Sequence, residues 1–208
     1  MSNFALPWQN QAFSEINLGM KKIYSVICAA IMAVGISFSA QATAADIEGV
    51  VGMSFSTIDQ SGVAFRPGFH VGARATFYIP DVVQGFYVNS AALLSLKGYK
   101  TDSINFKPFF LDIPVHAGYI YMLDDRASMF IEAGPYVGIG LFGKCNGEDI
   151  FSDKVGYKRL DLGIGVRGGV VLMQRYTVSL GADFGFLKVI EGASTRPRNI
   201  QLSFGYKF

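Results

Sequence analysis

Cysteine and histidine are nearly absent. Cys28, Cys145, His70 and His116 are all that the 208 residues contain. They cannot build a disulfide framework or a Cys/His metal cluster. An excess of one charge is lacking too. The 18 Lys and Arg face 16 Asp and Glu, so no strongly basic surface is available for a nucleic acid. Beyond residue 45 the sequence also lacks any run of 18 or more apolar residues, which excludes a membrane-crossing helix there. A helical bundle is excluded by a surplus instead. There are 24 Gly, and each costs about 1 kcal/mol against Ala inside a helix.

The one long apolar run comes early, in "MKKIYSVICAAIMAVGISFSAQATAAD". Met20 is followed by Lys21 and Lys22, then by apolar residues from Ile23 to Phe38. Small residues close it, with Ala-x-Ala at Ala40/Ala42 and again at Ala42/Ala44. This is the pattern of a cleaved secretory signal peptide. The rival reading is an uncleaved transmembrane helix, and the small-residue end favours cleavage. A lipoprotein would place a small residue where Ile27 precedes Cys28. On this reading residues 1–19 reflect a start codon assigned too early, 20–44 are the signal peptide, and 45–208 are an outer-membrane β-barrel. The mature chain is expected to begin near Thr43 or Ala45 and to hold Cys145 as its lone thiol.

From there period two recurs to the end. Eight strands are predicted, at about 47–58, 68–79, 86–99, 109–123, 128–143, 158–173, 177–190 and 199–208. In the first, Val51, Met53 and Phe55 alternate with Gly52, Ser54 and Ser56. In the last, Ile200, Leu202, Phe204, Tyr206 and Phe208 alternate with Asn199, Gln201, Ser203, Gly205 and Lys207. A soluble sandwich or a lipocalin-like barrel would also alternate. The phase of the charges decides between them. The apolar face is too bulky for the interior of eight strands. The other face, rich in Gly and Ser with few charges, is too poor for a solvated surface but suits a narrow lumen. The apolar face therefore meets lipid. The fold class that follows is all-β, an eight-stranded antiparallel up-and-down transmembrane β-barrel with a cleaved N-terminal signal peptide.

Linker lengths agree. "DDR" and about "QRY" are tight, whereas "KCNGEDIFSDKVGY" is long and polar, as for short periplasmic turns and long outer loops. Only "PDVVQG", after the second strand, is longer than a periplasmic turn needs. Aromatic residues gather at strand ends. Phe77, Phe86, Tyr119, Tyr121, Tyr206 and Phe208 are placed at the periplasmic rim, and Phe55, Phe69, Phe109 and Phe186 at the outer rim.

"LDIPVHAGY" (Leu111–Tyr119), "EAGPYVG" (Glu132–Gly138) and the closing "LSFGYKF" resemble the PorT-like outer-membrane β-barrel domain family, across the whole mature chain. The resemblance implies an eight-stranded barrel in the outer membrane of a Gram-negative bacterium. A few relatives of that family take part in protein secretion, and no catalytic motif or cofactor comes with it. The final stripe Phe204, Tyr206, Phe208 also resembles the signal read by barrel-assembly machinery. The partners expected are thus outer-membrane lipid, that machinery, and a protein at the outer loops; no nucleic acid is expected.

The inward phase collects Glu48, Arg74, Lys97, Asp112, Glu132, Arg159, Asp161, Arg167, Asp183 and Lys207. Five acids against five bases read as an ion-pair network plugging the lumen. A narrow channel is the alternative, although a permeation path usually carries one dominant sign. Two pairings are expected from the hairpins: Arg167 with Asp183, and Glu48 with Lys207 where the first and last strands meet. His70 and His116 point inward as well. A Ser54–His70 pair would be the minimum for hydrolysis, which keeps a lipid-modifying enzyme as a further alternative, but no acid is spaced to orient the imidazole. "EDIFSD" reads as a solvated loop, with a calcium site or adhesive surface as the alternative.

Overall fold

The computed structural model describes residues 45–58, 65–79, 83–97, 100–101, 104–105, 107–145, 148–149, 159–187 and 196–208. The upstream start, the signal peptide and residues 146–147 and 150–158 of the loop fall outside the described residues. Within them run β1 (Ala45–Ile58), β2 (Arg66–Tyr78), β3 (Phe86–Leu96), β4 (Lys100–Thr101), β5 (Ile104–Asn105), β6 (Lys107–Met122), β7 (Ala127–Cys145), β8 (Glu148–Asp149), β9 (Leu160–Leu172), β10 (Tyr176–Gly185) and β11 (Pro197–Lys207).

Eight of these are long and form a closed antiparallel ring in the order β1-β2-β3-β6-β7-β9-β10-β11, with β11 returning to β1. The pair β4–β5 stands apart, and β8 adds to the far end of β7. The third strand was expected to reach Tyr99 and the seventh Ile190. They stop at Leu96 and Gly185. The sixth was expected from residue 158 and begins at Leu160, while the last begins two residues early, at Pro197.

The burial is inverted relative to a soluble protein. Ile47, Val51 and Met53 on β1, Phe69 and Val71 on β2, and Ile200, Leu202 and Phe204 on β11 are exposed. Their polar neighbours Glu48, Ser54, His70, Arg74, Gln201 and Ser203 are buried. A pleated strand sends alternate side chains to opposite faces, so each strand gives lipid its apolar set and the lumen its polar set.

Ring contacts mark the rims. Phe69, Phe109 and Phe142 stack side by side at 6.1 and 4.8 Å between centroids. Tyr176, Tyr206 and Phe208 do the same at the other end, at 5.5 Å each. At that second end the connections are laced together. Ile120 N–H donates to Gly85 O, Met173 N–H to Arg126 O, Lys207 N–H to Arg175 O and Phe208 N–H to Ile47 O. Gly85 has φ of 92°, and a side chain there would press on Ile120 O at 2.6 Å. Asp124 Oδ1 caps the 124–126 turn by accepting from the N–H of Arg126 and Ala127 at 2.7 Å.

The β9–β10 connection is the three-residue stretch 173–175, with Met173 and Gln174 at the centre of a turn closed by Arg175 N–H on Leu172 O. Both central residues have positive φ, 52° and 59°. Positive φ at both central positions is what a type I′ turn demands, and such turns favour Asn-Gly. Met and Gln there each carry a left-handed penalty of about 1 kcal/mol. The variant Met173→Asn/Gln174→Gly is expected to stabilise the barrel by about 1–2 kcal/mol, read as a higher urea midpoint with unchanged slope.

Closure leaves no unpaired edge in the membrane, so ladder bonds are satisfied within the chain. Unboiled protein is therefore expected to run as a compact band on a denaturing gel and to shift on boiling. Identical mobility after verified membrane insertion would count against the ring.

Candidate functional site

The lumen is where the chemistry-bearing side chains meet. Its centre is Glu132 on β7. Arg167, directly opposite on β9, donates Nη2 to Glu132 Oε1. His116 Nδ1 lies 3.1 Å from the same oxygen. Tyr87 OH and Asn89 Nδ2 donate to Oε2 at 2.7 and 2.6 Å. One carboxylate thus ties four strands, β3, β6, β7 and β9. Charge-assisted bonds of this kind are about twice as strong as neutral ones.

Toward the outer end, Lys97 just past β3 donates to Asp112 Oδ1 at 2.7 Å and reaches Asp161 Oδ2 at 3.5 Å. Its ammonium lies over the Phe110 and Tyr136 rings, 5.4 and 5.1 Å from their centroids. Tyr136 OH donates to Asp161 as well, at 3.2 Å. Gly138 makes this layer possible, since a Cβ there would sit 2.8 Å from Asp112 Oδ1 and 3.4 Å from the Phe110 ring. Asp183 accepts from Asn199 Nδ2 at 3.1 Å and Gln201 Nε2 at 2.7 Å. Toward the periplasmic end, Arg74 Nη1 donates to Glu48 Oε2 at 2.8 Å. At the rim Lys207 reaches Asp46 at 3.4 Å and Tyr78 OH at 3.1 Å.

Two expected pairings are corrected. Arg167 sits opposite Gly181, and Asp183 opposite Gly165. The two are therefore diagonal neighbours, and Arg167 takes the carboxylate that faces it directly, Glu132. Glu48 is opposite Lys207 as expected, but it is also opposite Arg74. The guanidinium fills the lumen layer, while the longer lysine stem carries its charge toward the wetter rim. Arg159 is corrected too. It lies exposed at a bend one residue before β9, alongside β7, and donates to the carbonyls of Gly140 and Leu141 at 3.3 and 3.2 Å. Asp46 and Tyr87 enter the network unannounced. Both keep the inward phase of their strands, which was the signal available for them.

His70 bridges two serines. Ser54 Oγ is 2.9 Å from Nδ1 and Ser203 Oγ 2.9 Å from Nε2. Ser54 and His70 are both 0% exposed. With hydroxyls on both nitrogens no carboxylate orients the ring, and a lipid substrate has no route to the hydroxyl, so this pair serves as a strut between β1, β2 and β11. Among the described residues no group of three His, Cys, Asp or Glu is placed to hold a metal ion.

Two small spaces remain among the described lumen residues. One cavity of about 30 Å³ lies between Glu48, Arg74, Tyr87, Glu132, Thr177 and Lys207. Another of about 20 Å³ lies between Asp112, His116, Tyr136, Arg167, Asp183 and Gln201. Each has room for a water molecule or two.

The model of the outer membrane protein beta-barrel domain family matches residues 26–208. The chain belongs to that family. It is a small eight-stranded protein of the bacterial outer membrane. Among solved structures it is similar to neisserial surface protein A, NspA, with TM-score 0.54 and 18% identity over 79% of this chain and 99% of that one. Ail, the attachment invasion locus protein of Yersinia pestis, follows with TM-score 0.43 and 15% identity over 78% and 99%. The outer membrane enzyme PagL has TM-score 0.46 and 14% identity over 77% and 97%. These likenesses are of fold. No curated protein matches the chain in sequence.

Proposed function

We propose that this outer-membrane barrel is a rigid scaffold whose outer loops bind a protein partner. The observation that carries the reading is the filled lumen: ion pairs cross it at several levels, and the cavities between them hold about 30 and 20 Å³. A solute path needs a continuous wet column, and none of the spaces described here is wider than water. A rigid barrel presenting long polar loops is instead the usual arrangement for recognition. The PorT-like sequence pattern favours a secretion-related partner. The lipid-facing stripe Phe204, Tyr206, Phe208 is the segment we assign to recognition by assembly machinery, since it presents three aromatics along one edge of the closing seam.

Two measurements test this. In planar bilayers the purified barrel is expected to show no steady conductance; discrete openings would sink the scaffold reading in favour of a channel. In cells, cross-linking in intact membranes is expected to capture a protein whose recovery is lost when residues 146–157 are replaced by a short Gly-Ser turn. Capture unaffected by that replacement would take the outer loop out of the proposal.

A further inference from the structure

Near their outer ends β6 and β7 change step. Phe110 meets Gly140, but Phe109 meets Phe142, Pro108 meets Gly143 and Lys107 meets Lys144. Leu141 is the extra residue of a β-bulge, a device by which a strand re-aims its side chains. Leu141 and Phe142, neighbours in sequence, are both exposed on the lipid side. Strict alternation from Ile139 would turn position 144 toward the lumen. The bulge returns it to the lipid-facing side with Phe142, directly opposite Lys107.

Like charges directly opposite on one face of a sheet repel each other. Lys107 is exposed. On its other side position 144 faces Asp149, across β7–β8, so one acidic position flanks two basic ones in this row. Arg159 adds a cation on the β9 side of β7, exposed and laid against the Gly140 and Leu141 carbonyls. The row lies one step beyond the Phe69, Phe109 and Phe142 rings, where the apolar band gives way to lipid headgroups. The two ends of the barrel differ in sign. Outside the lumen, the described outer ends carry Lys107, Lys144, Arg159, Arg196 and Arg198 against Glu148 and Asp149. At the periplasmic end Arg126, Arg175 and Lys207 are matched by Asp46, Asp124 and Asp125.

We propose that Lys107 and Lys144 form a binding site for the phosphate of an outer-leaflet glycolipid, whose acyl chains lie against Phe109 and Phe142. Phosphate brings the negative charge that the lysine row lacks. An ammonium binds it as a compact point charge with three donors. The two rings, 4.8 Å apart between centroids, give the chains an apolar wall at the same place. Head and tail are thus met by adjacent residues of the same two strands, which favours the lipid over a free anion. The contact is ionic and apolar, and no bond is made or broken.

The test is native mass spectrometry of the full barrel released from phosphatidylcholine nanodiscs. The discs are doped with diphosphoryl lipid A or with the same lipid A stripped of its phosphates. Wild type is expected to retain the phosphorylated form roughly tenfold better. Lys107→Gln/Lys144→Gln is expected to lose that preference, and Lys107→Arg/Lys144→Arg to keep it. Arg126→Gln, a charge removed at the periplasmic end, is expected to leave it unchanged. Each variant is first checked for the heat-dependent gel shift of a closed barrel. Equal retention of the two lipids by wild type overturns the proposal, whatever the variants do. A preference that survives in the folded Gln double variant overturns it as well. Displacement of the bound lipid by millimolar inorganic phosphate would overturn the assignment to a lipid headgroup.

Discussion

Glu132→Leu is expected to cost about 3–5 kcal/mol of stability, because it strands the buried Arg167 charge and three further donors at once. Tyr87, Asn89, His116 and Arg167 all lose the same acceptor. The double variant Glu132→Leu/Arg167→Met should recover a large part of the loss, since an apolar pair of similar volume replaces a buried ion pair at little net cost. Urea unfolding in lipid vesicles measures both. A double variant as unstable as the sum of Glu132→Leu and Arg167→Met alone would show that the two residues are not coupled.

Lys97→Met is the second large effect. It removes the cation that Asp112 and Asp161 share and that lies over Phe110 and Tyr136. A loss of about 3–5 kcal/mol follows from leaving the carboxylates uncompensated. It should come with a functional sign, because water drawn to the bare carboxylates loosens the outer cover of the lumen. Brief conductance events absent from the wild type are the expected reading. Adding Asp112→Asn and Asp161→Asn should restore both stability and silence. Wild-type stability in Lys97→Met would mean that this layer does not hold the barrel.

The two variants probe the part of the molecule that the sequence disclosed least. Alternation was legible throughout because the pleat fixes it: Val51 and Met53 point out and Ser54 points in whatever the neighbours do. The eight strands, their inward residues and the short 124–126 and 173–175 turns followed from that period. Partner choice did not, because each inward residue has a neighbour on both sides. Glu48 faces Lys207 and Arg74 equally in register, and only the length and reach of the two cations separates them. Arg167 faces Glu132 across β7–β9, two strands joined by the long 146–159 connection, where no tight turn reveals the register. Arg159 shares the inward phase, yet phase loses its meaning where its own strand ends. The Tyr136 and Phe110 rings beneath Lys97 were not legible as a cover, since that depends on distances between strands rather than along them.

The pairing of β1 with β11 also bears on how the barrel forms. Glu48 and Lys207 are about 160 residues apart in sequence, among the most distant partners the chain has, and contacts of such separation slow folding. Every hairpin from β1–β2 to β10–β11 can form locally, but the seam must wait for both of its strands. Until then two unsatisfied edges face each other across an open sheet, which is the state most prone to aggregate. Once the seam zips, no strand can leave without breaking bonds on both sides. The protein should therefore be slow to assemble and slower still to come apart, with a persistence set by the height of its unfolding barrier rather than by the depth of its equilibrium.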